Sequence, residues 1–307
     1  MKYFQKIFFT SLFLLLSLIE INGQDDKLET DTIIKPVKRI ELIIKGMVLK
    51  EWNTLEVSEE DVRRELDNTH SFGILEDNYI VTGTNLNKPI NSTNTDAKYQ
   101  ISFRQRVTNS YLPFNTFIFI SYTQKAFWNI YKSSSPFRDT NFNPGIGFGK
   151  YLISKDNNYM GSLFLQFEHE SNGKDSIDSR SWDFVTLSGK YYLNDRVLVR
   201  AKICVPFVFT MGEENDDLLT YKGYSHFSVD YITPNNKWWF TTKLTPRHNL
   251  SSMNTSFSVA FKSSKKLNQY LFVELYNGRG DSLLDYKEYD LKLRIGVCIK
   301  PDFFSVF

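Results

Sequence analysis

The sequence predicts an all-β protein: a 12-stranded antiparallel transmembrane β-barrel with a short N-terminal periplasmic extension. Three observations lead to this fold class. From about residue 78 onward, apolar and polar residues alternate in twelve strand-like runs, and a period of two sends successive side chains to opposite faces of a strand. One face of these runs is aliphatic and aromatic, whereas the other carries Lys, Arg, Gln and Ser. The connections alternate between short and long, as periplasmic turns and outer loops do in outer-membrane barrels.

The twelve runs cover residues 78–84, 98–107, 116–125, 145–153, 159–170, 182–193, 196–209, 221–232, 237–244, 254–262, 268–276 and 285–300. A soluble β-sandwich would share its apolar faces between two sheets. A buried core, however, rarely pairs with charged residues at alternate positions of every strand. A closed barrel with lipid outside and polar residues inside explains the pattern better, because it leaves no unpaired backbone in the lipid.

The N-terminus predicts export. A basic start is followed by an apolar stretch at residues 7–19, which is too short to span a bilayer, so residues 1–23 are expected to form a secretory signal peptide. Residues 24–72 are assigned to an extension of unknown role and residues 73–307 to the barrel. Within the extension, the sequence Ser58-Glu-Glu-Asp61 is typical of a helix start.

Charge argues against a nucleic-acid partner, and the cysteine content argues against a fold held by disulfides. The chain has 37 Lys and Arg against 35 Asp and Glu, without a basic block, so no nucleic-acid partner is expected. Two cysteines, Cys204 and Cys298, do not make a disulfide framework. Both are predicted to be small, inward-facing strand residues that do not pair.

One hairpin carries a candidate catalytic group. The apolar face of the run at 159–170 continues through His169 and Ser171, and a histidine and a serine so placed can approach as a base and a nucleophile must. Asp183 lies on the apolar face of the returning strand. The three side chains are therefore expected at the mouth of one hairpin. A His-x-Ser pattern also arises by chance, and Asn-Gly at 172–173 is a common turn signal. Spacing alone therefore does not decide between a catalytic group and an ordinary hairpin turn.

Four blocks of sequence carry a family resemblance: SYTQK at 121–125 followed by Phe127 and Trp128, SSPFRDTN at 134–141, HESNG at 169–173 leading to DSRSW at 178–182, and YNGRGDSLLDY at 276–286. With these blocks, the chain from about residue 78 to its end resembles outer-membrane phospholipase A, a calcium-dependent barrel phospholipase of Gram-negative bacteria. The resemblance implies hydrolysis of phospholipid acyl esters, with phospholipase A1, A2 and lysophospholipase activity, at the outer leaflet of the outer membrane.

The resemblance also implies roles for individual residues. Ser171 would be the nucleophile, His169 the general base, and Asp183 would orient His169 from a place that the family usually gives to asparagine. A backbone N–H near Gly173 is expected to help hold the oxyanion.

For the metal, the resemblance implies Ca²⁺ bound by the Lys174 carbonyl and the Ser179 hydroxyl, with Ser134 contributed by a second subunit. Gln124 matches a glutamine at the dimer interface of the family, so a calcium-dependent homodimer is expected. Asp175 and Asp178 lie in the same loop and are either further calcium ligands or parts of a solvated turn.

Two alternatives remain at this point. A non-enzymatic barrel, either a small channel or a structural protein, would use charged lumen residues: Arg104, Arg106, Arg200, Lys202 and Arg294. A barrel of this size is more often filled by its own side chains than open. The other alternative is a soluble, secreted β-sandwich hydrolase, which would be extractable without detergent.

Overall fold

The computed structural model describes residues 58–207, 215–247, 252–264 and 268–305. All of them belong to one compact unit, Ile40–Phe307. The predicted signal peptide and residues 24–57 of the predicted extension lie outside the described residues. The domain boundaries therefore stay predictions.

Thirteen strands and two α-helices make up the described chain. The helices are α1 (Glu59–Asp67) and α2 (Leu218–Lys222). The strands are β1 (Phe72–Ile74), β2 (Asn78–Asn85), β3 (Thr95–Arg106), β4 (Thr116–Trp128), β5 (Phe137–Ile153), β6 (Tyr159–Ser171), β7 (Ser181–Tyr192), β8 (Val197–Pro206), β9 (Ser225–Ile232), β10 (Trp238–Pro246), β11 (Met253–Lys262), β12 (Tyr270–Gly278) and β13 (Asp290–Ile299). No helix among them is long and apolar enough to cross a membrane.

The sheet closes on itself. Each strand from β2 to β13 pairs antiparallel with its sequence neighbours, and β13 pairs with β2, from Lys292 opposite Asn85 to Ile299 opposite Asn78. Among the described strands, the short β1 pairs only with β3 and is not part of the ring, which therefore has twelve strands. Closure gives each strand from β2 to β13 two partners within the ring, so the ring itself has no exposed edge. The predicted all-β, 12-stranded antiparallel barrel is confirmed.

Three strands begin four or more residues away from the predicted start, and the other bounds differ by three residues or fewer. β5 begins at Phe137 instead of Gly145, because its outer half pairs with the end of β4 in spite of Pro144 and two asparagines. β9 begins at Ser225, since the residues before it form α2. β13 begins at Asp290, because residues 279–289 fold as a loop over the barrel mouth.

The two faces of the sheet differ as predicted. On β6, the outward side chains of Leu163, Leu165 and Phe167 are 42%, 50% and 45% exposed, whereas the intervening Gln166 and Glu168 are buried. Large apolar residues are exposed in the same way on the other strands. An apolar exterior this extensive needs lipid around it.

Side chains fill the barrel interior. The predicted lumen residues face inward. Arg200 pairs with Asp230 and Lys202 with Glu168, each at 2.8 Å, and Arg104 and Arg294 are buried. A cavity of about 320 Å³ remains among them. Packing of this kind disfavours an open channel.

The helix α1 packs into one end of the barrel. Its start is the predicted capping box, in which Ser58 and Asp61 exchange side chain–backbone hydrogen bonds of 3.2 Å. Val62 and Leu66 are buried in the barrel core, and the Arg106 guanidinium donates to the Leu66 carbonyl at 3.1 Å. Part of the extension to which the sequence assigned no role thus contributes to the packing of the barrel.

The opposite end of the barrel is filled by α2 together with the loop formed by residues 279–289. We call this loop the mouth loop, and α2 and the mouth loop together the plug. Asp281 of this loop pairs with Lys98 and Arg294, both at 3.0 Å, and Ser282 Oγ donates to Asp139 at 2.6 Å. Its apolar contacts join a second core cluster: Trp182, Phe184, Cys204, Leu218, Leu283 and Tyr286. Both cysteines are buried and free, as predicted.

Candidate active site

A histidine and a carboxylate meet on the outside of the β6–β7 hairpin, at the end filled by the mouth loop. His169 and Asp183 are directly opposite each other in the strand register, and His169 Nδ1 lies 2.7 Å from Asp183 Oδ1. An ionised carboxylate only accepts hydrogen bonds, so we assign the proton to Nδ1, and Nε2 remains available as a base. Both side chains are partly exposed, at 41% and 25%.

Ser171 lies two residues after His169 on the same outward face, at the end of β6. Its register neighbours are Ser181 on β7 and Phe142 on β5. Within the ranges that the structure describes, the Ser171 hydroxyl makes no hydrogen bond, to His169 or to another group. The bond between a nucleophile and its base is often long before substrate binds, so this geometry is compatible with catalysis.

The loop after Ser171 is organised by Asn172, which is 4% exposed. Its side-chain amide donates to the Asp178 carbonyl at 2.8 Å, and its oxygen accepts from the Arg180 N–H at 3.0 Å and the Lys174 N–H at 3.3 Å. The next residue, Gly173, has φ +64°, a value that favours glycine. The sequence indicated only a turn here, since cross-loop bonds leave no periodic signal.

The residues predicted to hold Ca²⁺ offer oxygen donors of the kind that calcium prefers. Lys174 and Ser179 both lie in the loop organised by Asn172, and Ser134 lies exposed in the β4–β5 connection with φ +64°. The Lys174 ammonium donates to the Arg138 carbonyl at 2.9 Å. No cluster of three acidic, His or Cys ligands occurs in the described part of the chain, so a calcium site here would rely on hydroxyl and carbonyl oxygens.

Two neighbouring features escaped the sequence prediction. Asn143 on β5 donates to the His169 carbonyl at 3.0 Å and ties a third strand to the site. On the barrel exterior, Gln124 donates to the Tyr99 hydroxyl at 3.2 Å and accepts from the Tyr122 hydroxyl at 2.9 Å. This polar group on an otherwise apolar surface includes the predicted interface residue.

A closed barrel with an apolar exterior, on which a histidine–carboxylate pair lies beside a serine, defines the class of β-barrel enzymes that work at a lipid surface. The model of the family described as "Phospholipase A1" matches residues 68–299. The chain belongs to the phospholipase A1 family.

Curated relatives and solved structures agree with this assignment. Phospholipase A1 of Salmonella typhimurium is 27% identical over 258 residues, which cover 78% of this chain and 85% of the relative. Phospholipase A1 of Escherichia coli K12 is 26% identical over 221 residues, which cover 69% and 72%.

Among solved structures, outer membrane phospholipase A from Escherichia coli matches with a TM-score of 0.67 at 22% identity, over 76% of this chain and 100% of that one. The outer membrane phospholipase dimer of Salmonella typhi with bound calcium matches with the same score and identity, over 80% and 99%. These two structures support the fold. Together with the family, they make the chain a phospholipase built as an outer-membrane β-barrel.

Proposed function

We propose that this enzyme hydrolyses acyl esters of phospholipids by a Ser171–His169–Asp183 triad on the barrel exterior, with Ca²⁺ as cofactor. Phospholipase A1, A2 and lysophospholipase activity all follow from one site that accepts any glycerol ester. The observation that carries the proposal is the 2.7 Å contact between His169 and Asp183 on a face otherwise lined by apolar side chains.

In the proposed mechanism, Ser171 Oγ attacks the ester carbonyl while His169 Nε2 takes its proton. Asp183 accepts from Nδ1–H, fixes the ring orientation and stabilises the imidazolium. The tetrahedral intermediate collapses, the proton passes from Nε2 to the departing lysophospholipid oxygen, and an acyl-serine remains. Water then attacks this ester while His169 Nε2 takes its proton; the bond between Ser171 Oγ and the acyl carbon breaks, the proton passes to Oγ, and fatty acid leaves.

The oxyanion needs positive charge or donors close to Ser171. The Gly173 N–H is the nearest candidate donor along the chain. The Lys174 carbonyl and the Ser179 hydroxyl, with Ser134 of a partner subunit, would hold Ca²⁺, whose charge would stabilise the oxyanion. Neutral ligands leave most of that charge uncompensated.

A homodimer is part of the proposal. The Salmonella typhi structure is a dimer with bound calcium. The Gln124 group lies on the lipid-facing surface, where no water is present to use the donor and acceptor capacity that the amide keeps beyond its bonds to Tyr99 and Tyr122, so a protein partner would stabilise it. We place Gln124 at this interface. The site would then act on phospholipid in the outer leaflet of a Gram-negative outer membrane.

The test is fatty-acid release from phospholipid in mixed micelles by purified protein, with calcium and with a chelator. We expect calcium-dependent release that Ser171→Ala lowers by roughly a thousand-fold or more, because the nucleophile is lost. Ser188→Ala, on the inner face of the same hairpin, is the matched control and should keep its activity. Full activity of Ser171→Ala would exclude the triad.

A further inference from the structure

The residue between the proposed base and nucleophile points into the barrel. Glu170 has both carboxylate oxygens engaged: Oε2 accepts from Trp182 Nε1 at 2.8 Å and Oε1 accepts from Lys222 Nζ at 3.0 Å. The Glu170 and Lys222 side chains are each 15% exposed, and Trp182 is 2% exposed. This buried group, which we call the inner clasp, lies directly beneath the outward pair.

The inner clasp joins the two strands that carry the site. Glu170 and Trp182 are opposite each other in the β6–β7 register, next to the pair of His169 and Asp183. Only one further register pair follows before β6 ends at Ser171. Strand ends open most easily, so a bond between side chains at this level holds the hairpin closed where the reacting groups lie.

Lys222 is itself held firmly. It is the last residue of α2, and the backbone carbonyls of Tyr221 and Lys222 accept from Asn254 Nδ2 at 2.8 and 3.3 Å. Gly280 of the mouth loop packs so closely that a Cβ there would lie 2.8 Å from Lys222 Cα. The ammonium is therefore presented from a packed surface, which reduces the entropy lost in holding it against Glu170.

We propose that Glu170, held by Lys222 and Trp182, is a positioning residue that sets the distances among His169, Ser171 and Asp183. This inference rests on the proposed function. Its physical basis is that groups on one short strand segment move together, and a displacement of about 1 Å in a catalytic group can cost on the order of 100-fold in rate. The plug thus supports the site on the barrel exterior from inside, through the contact of Lys222 with Glu170.

A matched buried pair separates positioning from general stability. Glu274 accepts from Lys98 Nζ at 2.9 and 3.1 Å, and its side chain is more buried than that of Glu170, at 7% exposure against 15%, but it lies on β12, away from the hairpin. Glu274→Gln removes an equivalent charge from the interior without touching β6 or β7.

The experiment measures kcat, KM and the thermal unfolding midpoint for Glu170→Ala, Lys222→Met, Glu274→Gln and Ser171→Ala. We expect kcat to fall about 10- to 100-fold in Glu170→Ala and less in Lys222→Met, which keeps the bond to Trp182. KM should stay within about twofold, since no substrate contact is removed. Glu274→Gln should lower the midpoint without lowering kcat.

The outcomes are distinguishable. Activity within twofold of wild type in Glu170→Ala, or an equal loss of kcat in Glu274→Gln, overturns the inference while an inactive Ser171→Ala leaves the proposed function standing. An active Ser171→Ala removes both. If Glu170→Ala does not fold, Lys222→Met decides: reduced kcat at unchanged KM supports positioning, and unchanged kcat refutes it.

Discussion

At the scale of single residues, the site depends on side chains that hold other groups in place. Asp183 holds the His169 ring by one contact of 2.7 Å, and Asn172 holds the following loop by three bonds to backbone groups. Neither side chain is the proposed nucleophile. Substitutions at these two positions therefore test how the His169 ring and the loop after Ser171 are oriented, without changing Ser171 itself.

In the proposed triad, the Asp183 carboxylate is needed first as an acceptor for His169 Nδ1–H. An amide oxygen accepts the same bond, so Asp183→Asn should keep activity within about tenfold, whereas Asp183→Ala should lose about 100-fold or more. The measurement is kcat for fatty-acid release at saturating calcium. Equal loss in the two variants would show that charge, and not ring orientation, is the contribution of Asp183.

At Asn172, the loop should loosen without unfolding the barrel. We expect Asn172→Ala to raise the calcium concentration for half-maximal activity by about tenfold, because the proposed ligands Lys174 and Ser179 lose their shared anchor. Direct calcium binding by calorimetry provides a second measurement. Asn194→Ala is the control, since Asn194 also accepts from two backbone N–H groups, in a turn at the other end of the barrel. An unchanged calcium requirement in Asn172→Ala would contradict the assigned loop.

At the scale of elements, the mouth loop depends on one buried carboxylate. Burial raises the pKa of Asp281, but Lys98 and Arg294 outweigh burial and hold that pKa below its ordinary value of 3.8. A depressed pKa in the folded state means that the stabilisation is complete above the unfolded value and is lost as the pH falls below it. The mouth loop should therefore be least stable in acid.

We expect Asp281→Asn to cost about 3–5 kcal/mol in the free energy of unfolding at neutral pH, because it leaves buried cations with one partner fewer. Its stability should also fall less steeply than that of wild type below about pH 4. Guanidinium unfolding in micelles, followed by tryptophan fluorescence, measures both effects. The partly exposed Asp195, paired with Arg196 at 3.0 Å, is the control, and Asp195→Asn should cost about 1 kcal/mol or less. A parallel acid profile for Asp281→Asn would argue against the assignment.

At the scale of the whole molecule, the barrel is inverted relative to a soluble protein. Ion pairs and aromatic rings fill the interior, α1 packs into one end and the plug into the other, and aliphatic and aromatic side chains cover the outside. Because the proposed site lies on that apolar exterior, phospholipid would reach it within the plane of the membrane.

A charge on the exterior should therefore be costly only within the apolar band. We expect Leu165→Arg, near the middle of β6, to cost about 2–4 kcal/mol of folding free energy in phospholipid vesicles. Leu86, equally exposed at 50% but just beyond the end of β2, is the matched control, and Leu86→Arg should cost about 1 kcal/mol or less. Reversible guanidinium titration into vesicles gives both values. Equal costs would mean that Leu165 does not face lipid.

The amino-acid pattern alone was enough to predict the twelve strands of the ring, the two faces of each strand and the outward placement of His169, Ser171 and Asp183. These properties follow from a period of two, which each strand carries locally. Three features came from the tertiary structure alone: β5 extends to Phe137, α1 and the mouth loop fill the barrel ends, and the inner clasp lies beneath the proposed site. Such contacts join residues that are far apart in the chain, as Glu170 and Lys222 are. They depend on how side chains pack in three dimensions, and packing leaves no periodic pattern in the sequence.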